Sequence, residues 1–274
     1  MAGPSVSTRW LACSRPNSQA RVRLFCFPYA GGGASVFHTW PEKLSTVEVC
    51  AVHLPGRENR LRESPFTELP ALVQTLTEAL LPHLAMPFAF FGHSMGALIG
   101  FELARQLRRQ HGPSPVHLFV SGRGAPQIPP PEPPIHALPE PQFIAELQGF
   151  NGTPKEVLEH PELMQLLVPT LRADFAVCET YSYTTDAPID CSISAFGGLQ
   201  DRKVSRELLE AWRDQSRASF NLSMFPGEHF FLHTAEPLVL ETIAQLLAAA
   251  CVDDRVKKVP VKPPLAGWDL APRC

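Results

Sequence analysis

The chain has little excess charge of either sign. Its 24 Lys and Arg against 27 Asp and Glu leave a net charge of -3, which gives no reason to propose a nucleic acid or an acidic membrane as partner. No apolar run approaches the ~20 residues that span a bilayer. The opening MAGPSVSTRWLACSRPNSQAR has no apolar core of the secretory kind, so a cytoplasmic protein is expected. The seven cysteines (13, 26, 50, 178, 191, 251, 274) include no C-x-x-C pair. Cys26, Cys50 and Cys191 sit in apolar, strand-like runs, where a thiol behaves as a small hydrophobe. This argues against a disulfide framework and against a zinc site. With 45% apolar and 19% charged residues over 274 positions, what remains is one globular domain.

Residues 1–20 are polar and aperiodic, an irregular lead-in. RVRLFCF (21–27), VEVCAVHL (47–54), FAFFGHS (88–94) and VHLFVSG (116–122) read as strands. Between the second and third, Leu69, Leu72, Val73, Leu76 and Leu80 recur at helical spacing and predict an amphipathic helix over 67–82. ASVFHTWPEKL opens a short helix after Gly33, and MGALIGFELARQLRRQ a long one after Ser94. Such alternation implies a mostly parallel sheet covered on both faces. It breaks at APQIPPPEPPIHALPEP (125–141), where proline excludes a central strand or regular helix. Helices follow over 140–149 and 161–180. Alternation resumes with IDCSISAFGG (189–198), a helix near 204–218, FNLSMFPG (220–227) and a last helix near 235–250. The domain therefore runs over 21–251, with 125–186 read as a helical insertion across the functional ends of the strands. Residues 252–274, with four prolines and a basic cluster, read as a flexible tail.

Gly92-His93-Ser94-Met95-Gly96 fits G-x-S-x-G, and its context carries more weight than its letters. It follows an apolar strand and opens a helix, as a nucleophile elbow of the α/β-hydrolase fold requires. Glycines flank the serine because a Cβ there would strike the neighbouring strand or helix. The turn presents the hydroxyl at a helix N-terminus, where negative charge is favoured. In this fold the acid and the histidine follow the serine, each after a later strand. Of ten histidines, His229 lies just after the last strand, and His233 is a weaker choice beside the last helix. His93 belongs to the elbow but points away from Ser94. Asp201 lies in the loop after the strand 189–198. Asp186 and Asp190 precede that strand, Asp174 reads as a solvated position on the inserted helix, and Glu228 diverges from its neighbour His229. The expected triad is Ser94, Asp201 and His229, with Asp201 holding the imidazole in place. The oxyanion donors expected are the N–H groups of Met95 and of Ala30, with Tyr29 second to Ala30, in the loop PYAGGG (28–33). That glycine run lacks both phosphate-loop spacings, G-x-x-x-x-G-K-[ST] and G-x-G-x-x-G.

These residues resemble the type II thioesterases associated with polyketide, nonribosomal peptide and fatty acid synthases. The resemblance runs from about residue 22 to 248 and rests on FCFPYAGGGAS, HLPGRENR, FFGHSMGALIGFELAR, SGRGAP, LRADFAVCETY, FGGLQD and FPGEHFFL. One departure is Gly124, where the family pattern is SGRRAP. The resemblance implies a cofactor-free hydrolysis of acyl thioesters on the phosphopantetheine arm of carrier domains, in an editing role, by a monomer whose partner is a carrier domain of a synthase. Chain release, acyl transfer and small-ester hydrolysis use the same acyl-serine and stay open, as does a non-catalytic binding role should a triad member fail. The segment 125–186 would be a lid. Its Leu163, Leu166, Leu167, Leu171 and Phe175 stripe either lines an acyl chamber or simply packs the helix. Arg57 and Arg123, at strand ends, either meet the carrier's phosphate or form ordinary ion pairs.

Overall fold

The computed structural model describes residues 8–13, 17, 19–129, 132–150, 152 and 160–252. In chain order the elements are β1 (Leu11–Ala12), β2 (Val22–Phe27), α1 (Trp40–Lys43), β3 (Val47–Val52), α2 (Leu69–Leu80), β4 (Phe88–His93), α3 (Met95–Arg109) and β5 (His117–Ser121). They continue with α4 (Glu140–Gln148), α5 (Pro161–Glu179), β6 (Ser192–Gly198), α6 (Arg206–Glu210), β7 (Phe220–Phe225), α7 (Phe231–Thr234) and α8 (Glu236–Val252). Among the described residues, seven strands form one sheet in the order β1-β3-β2-β4-β5-β6-β7. Only β1 is antiparallel to its neighbour.

Alternation along the strands divides the core. Phe25, Phe27 and Phe90 point to the side covered by α2 and α3. Leu24, Cys26 and Phe91 point to the side where Trp40 of α1 and Val239, Ile243 and Leu247 of α8 pack. The connection from β2 to β3 thus covers one face and that from β3 to β4 the other. The chain reverses direction across the sheet between β2 and β4, which pair directly, with Phe27 opposite Gly92. Loops that leave the carboxyl ends of strands at such a switch point diverge and open a crevice between them. The switch therefore sets the 28–33 loop beside Ser94.

The helix expected over 67–82 spans 69–80 and ends in a 3-10 turn at Leu81–His83, where Pro82 interrupts the α-helical ladder. The helix near 204–218 is likewise split, into α6 and a 3-10 turn over Ala211–Gln215. Among the described residues of 125–139 there is no strand or helix. Beyond them, α4 and α5 share a separate small core of Ile135, Phe143, Leu147, Met164, Val168 and Leu171. Residues from 253 onward, where the tail was expected, lie outside the described residues.

Two expectations fail at the N-terminus. The lead-in is not wholly irregular: β1 pairs with β3, Leu11 opposite Val52 and Ala12 opposite Ala51. All six residues of β3 are buried, so its outer edge needs cover, and a two-residue strand is too short to show periodicity. The cysteines also do more than pack. The same register carries Cys13 opposite Cys50, and the two form a disulfide with Cα atoms 4.3 Å apart, the spacing of a directly opposed antiparallel pair. Among the described residues Cys26, Cys178 and Cys191 are free.

Candidate active site

Ser94 stands between the last residue of β4 and the first of α3, with φ 52° and ψ −110°. A non-glycine residue in that region stores on the order of 1–3 kcal/mol, held there by its surroundings. The surroundings are visible. A Cβ on Gly92 would lie 2.0 Å from the Gly96 carbonyl oxygen, and one on Gly96 would lie 2.1 Å from that of Phe27. Helix and strand close on the turn so tightly that only glycine fits on either side. The Ser94 N–H donates to the Ser121 carbonyl at 2.7 Å, which ties the elbow to the end of β5.

His229 follows β7 and Asp201 follows β6. His229 Nδ1 lies 2.8 Å from Asp201 Oδ2, and the Asp201 side chain has no exposure. Its other oxygen accepts the N–H groups of Lys203 (2.8 Å) and Val204 (3.2 Å). Burial is the largest single influence on this carboxyl and pushes its pKa up. The hydrogen bond and charge of His229, with the two backbone donors, outweigh it and hold the pKa below the usual carboxylate value. Facing a carboxylate, Nδ1 carries the proton and Nε2 is the acceptor.

The other histidines separate cleanly. His93 is fully buried, with Nδ1 2.9 Å from Ser121 Oγ and its ring 5.1 Å from that of His229. Burial first, then the charges of His229 and His233, drives its pKa well down, so it is a neutral wall behind the site. His233 Nε2 meets the Tyr29 hydroxyl at 3.0 Å.

The 28–33 loop is held by a buried ion pair that the sequence reading misplaced. Asp174, expected on a solvated helix face, is 3% exposed. It accepts two hydrogen bonds from Arg57, each 2.7 Å, and a third from the Gly31 N–H at 2.7 Å. Arg57 also donates to the Gly32 carbonyl at 3.0 Å. The ion-pairing alternative for Arg57 therefore holds. Helical spacing could not reveal this, because the polar partners of Asp174 come from two distant loops. Gly31 has φ 78°, and a Cβ there would lie 2.5 Å from Leu171 Cδ2, so the loop needs glycine at that point.

Ser94, His229, Tyr29 and Ala30 share one cavity of about 890 Å³, walled on its other side by Leu171 and Phe175 of α5. Met95 is fully buried at the start of α3. The leucine stripe splits: Leu171 and Phe175 face the cavity, whereas Leu163 and Leu166 are 41% and 50% exposed. Arg123 also lines the cavity. A larger hollow of about 1410 Å³ lies between α2, α3 and α5. It holds none of these groups, and its Glu102, Arg105, Arg109 and Asp186 pair among themselves. Among the described residues no His, Cys, Asp and Glu cluster is placed to hold a metal ion, and no helix is long and apolar enough to cross a membrane.

Comparison with known proteins agrees with this geometry. The chain is 50% identical over 240 residues to the gramicidin S biosynthesis protein GrsT of Aneurinibacillus migulanus, covering 87% of this chain and 94% of that one. It is 47% identical over 252 residues to LgrE of Brevibacillus parabrevis, named a linear gramicidin dehydrogenase, covering 90% and 96%. Among solved structures, the type II thioesterase BorB of the borrelidin cluster superposes with a TM-score of 0.79 at 32% identity, covering 88% of this chain and 97% of BorB. The sheet, its flanking helices and these neighbours give the α/β-hydrolase fold. The thioesterase domain pattern matches residues 22–247, and the chain belongs to the thioesterase family, hydrolases of acyl thioesters.

Proposed function

We propose that Ser94, His229 and Asp201 are the catalytic triad of a type II thioesterase that releases acyl groups from the phosphopantetheine arm of a carrier domain. The observation that carries this is the opening onto one cavity of the strained Ser94 elbow and of His229, which is held from behind by Asp201. Ser94 Oγ attacks the thioester carbonyl as His229 Nε2 takes its proton, and Asp201 stabilises the imidazolium. The pantetheine sulfur leaves with that proton, giving an acyl-Ser94 ester. Water, deprotonated by His229, then attacks the ester and releases the carboxylic acid. The chain's own side chains supply nucleophile, base and acid, so the reaction is written without a cofactor.

The negative oxygen of each tetrahedral intermediate falls to the N–H groups of Met95 and Ala30. Support for Ala30 comes from its neighbours: the Gly31 N–H is committed to Asp174 and the Gly32 N–H to the Tyr29 carbonyl. The segment 125–186 acts as a lid, its α5 fastened to the 28–33 loop through Asp174 and Arg57. An editing role, clearing stalled or misprimed acyl groups, agrees with the relatives. The enzyme acts as a cytoplasmic monomer on carrier domains of a synthase. The name of LgrE suggests hydride transfer, but the glycine run here lacks dinucleotide-loop spacing. Ser94→Ala should lower acyl release from a loaded carrier on the order of 10⁴-fold or more. Undiminished turnover in that variant would sink the mechanism. Product analysis with water, amine and alcohol acceptors separates hydrolysis from acyl transfer.

A further inference from the structure

Arg123 stands apart from the other cations near the site. Arg57 is spent on Asp174, and Lys203 pairs with Glu132. Arg123 lines the cavity, half-buried, with its guanidinium against the Cys178 thiol. Among the described residues no carboxylate forms an ion pair with it. Of the chamber's other acids, Glu179 accepts the N–H groups of Ile135 and His136 and binds the His136 ring, and Glu146 is exposed on α4. Burial holds the thiol of Cys178 protonated, so it is no counter-ion. A guanidinium offers five N–H donors in a planar fork suited to a carboxylate.

We propose that Arg123 is a specificity-determining residue that binds an anionic oxygen on the acyl group, as in half-thioesters of dicarboxylic acids. Its position favours the acyl group over the phosphate of the carrier arm. Arg123 is two residues beyond Ser121, whose carbonyl receives the Ser94 N–H, and it lines the same cavity as Ser94. The phosphate lies at the far end of a long flexible arm. The backbone at 123 is fixed independently of the side chain, because Trp212 Nε1 donates to its carbonyl at 2.7 Å. Substitution of the side chain leaves that bond in place.

The proposal rests on the thioesterase reading of Ser94, and the test keeps the two apart. Succinyl and butyryl groups are presented both as N-acetylcysteamine thioesters, which carry no phosphate, and on a phosphopantetheinylated carrier protein. In Arg123→Met, kcat/KM for succinyl should fall about ten- to a hundredfold in both forms, while butyryl turnover stays within about twofold and reports a folded enzyme. Arg123→Lys, which keeps the charge but loses the fork, should fall between. An equal loss on both acyl groups overturns the proposal, as does wild-type hydrolysis of butyryl but not succinyl. A loss confined to carrier-bound substrates assigns Arg123 to the phosphate and overturns it too. Wild-type failure on every thioester overturns the Ser94 reading itself, and this proposal with it.

Discussion

Asp201 and Asp174 are both buried, both bonded to a basic side chain and both supplied with backbone N–H donors. Yet they sit in regions built for different ends. Asp201 faces His229, which in the proposed mechanism gains and loses a proton, so its carboxylate would be used when the imidazolium appears. Asp174 faces the guanidinium of Arg57, a hydrogen-bonding fork rather than a proton carrier, and the pair is spent on holding the Gly31–Gly32 backbone against α5. A buried acid is thus read by whether its partner can release a proton.

The comparison is broken most severely by exchanging the symptoms. Asp201→Asn keeps the shape but favours the wrong imidazole tautomer, and kcat/KM should drop about 10⁴-fold. Its melting temperature should move little, because the amide NH2 still meets the ring and its oxygen keeps the Lys203 and Val204 donors. Asp174→Ala should do the reverse in stability. It leaves the Arg57 guanidinium, 7% exposed, without its partner, at a cost of about 3–5 kcal/mol in denaturant unfolding. The pair replacement Arg57→Met with Asp174→Leu removes both charges and should recover most of that loss, while activity stays low because Gly31 has lost its acceptor. If the double variant regains full turnover, the ion pair does not position the loop. A smaller effect is expected for Gly31→Ala, where the left-handed backbone costs about 1–2 kcal/mol and the methyl group must displace Leu171. Its kcat should fall by more than its stability alone explains.

Legibility in the sequence follows the same division. The elbow is a local device: strand, two glycines, serine and helix are contiguous, so the turn at Ser94 is readable, and strand ends place Asp201 after β6 and His229 after β7. The parallel sheet and α2 are readable because periodicity survives over many residues. Asp174, β1 and the Cys13–Cys50 bridge were not readable, because each depends on a partner from elsewhere in the chain. A helix acid looks solvated until two loops arrive over it, and a two-residue strand has no period. Leu163 and Leu166 show the converse, apolar letters at helical spacing that the fold leaves on the surface.

The weakest expected effect is on the pH dependence of stability, and it separates Asp201 from an ordinary surface acid. Its pKa in the folded protein is depressed by the His229 hydrogen bond, the imidazole charge and the Lys203 and Val204 donors, against the opposing push of burial. A depressed folded value means that its stabilising contribution is fully present above the unfolded pKa of about 3.9 and is lost as pH falls through the folded value. Between neutral pH and about pH 5, Asp201 should therefore contribute a constant amount. Urea unfolding of wild type and Asp201→Asn should give parallel stability curves over that range and converge only in more acidic solution. Curves that already converge between pH 7 and 5 would mean that the carboxyl titrates high, with burial winning over its donors, and Asp201 would then be neutral when His229 needs its charge.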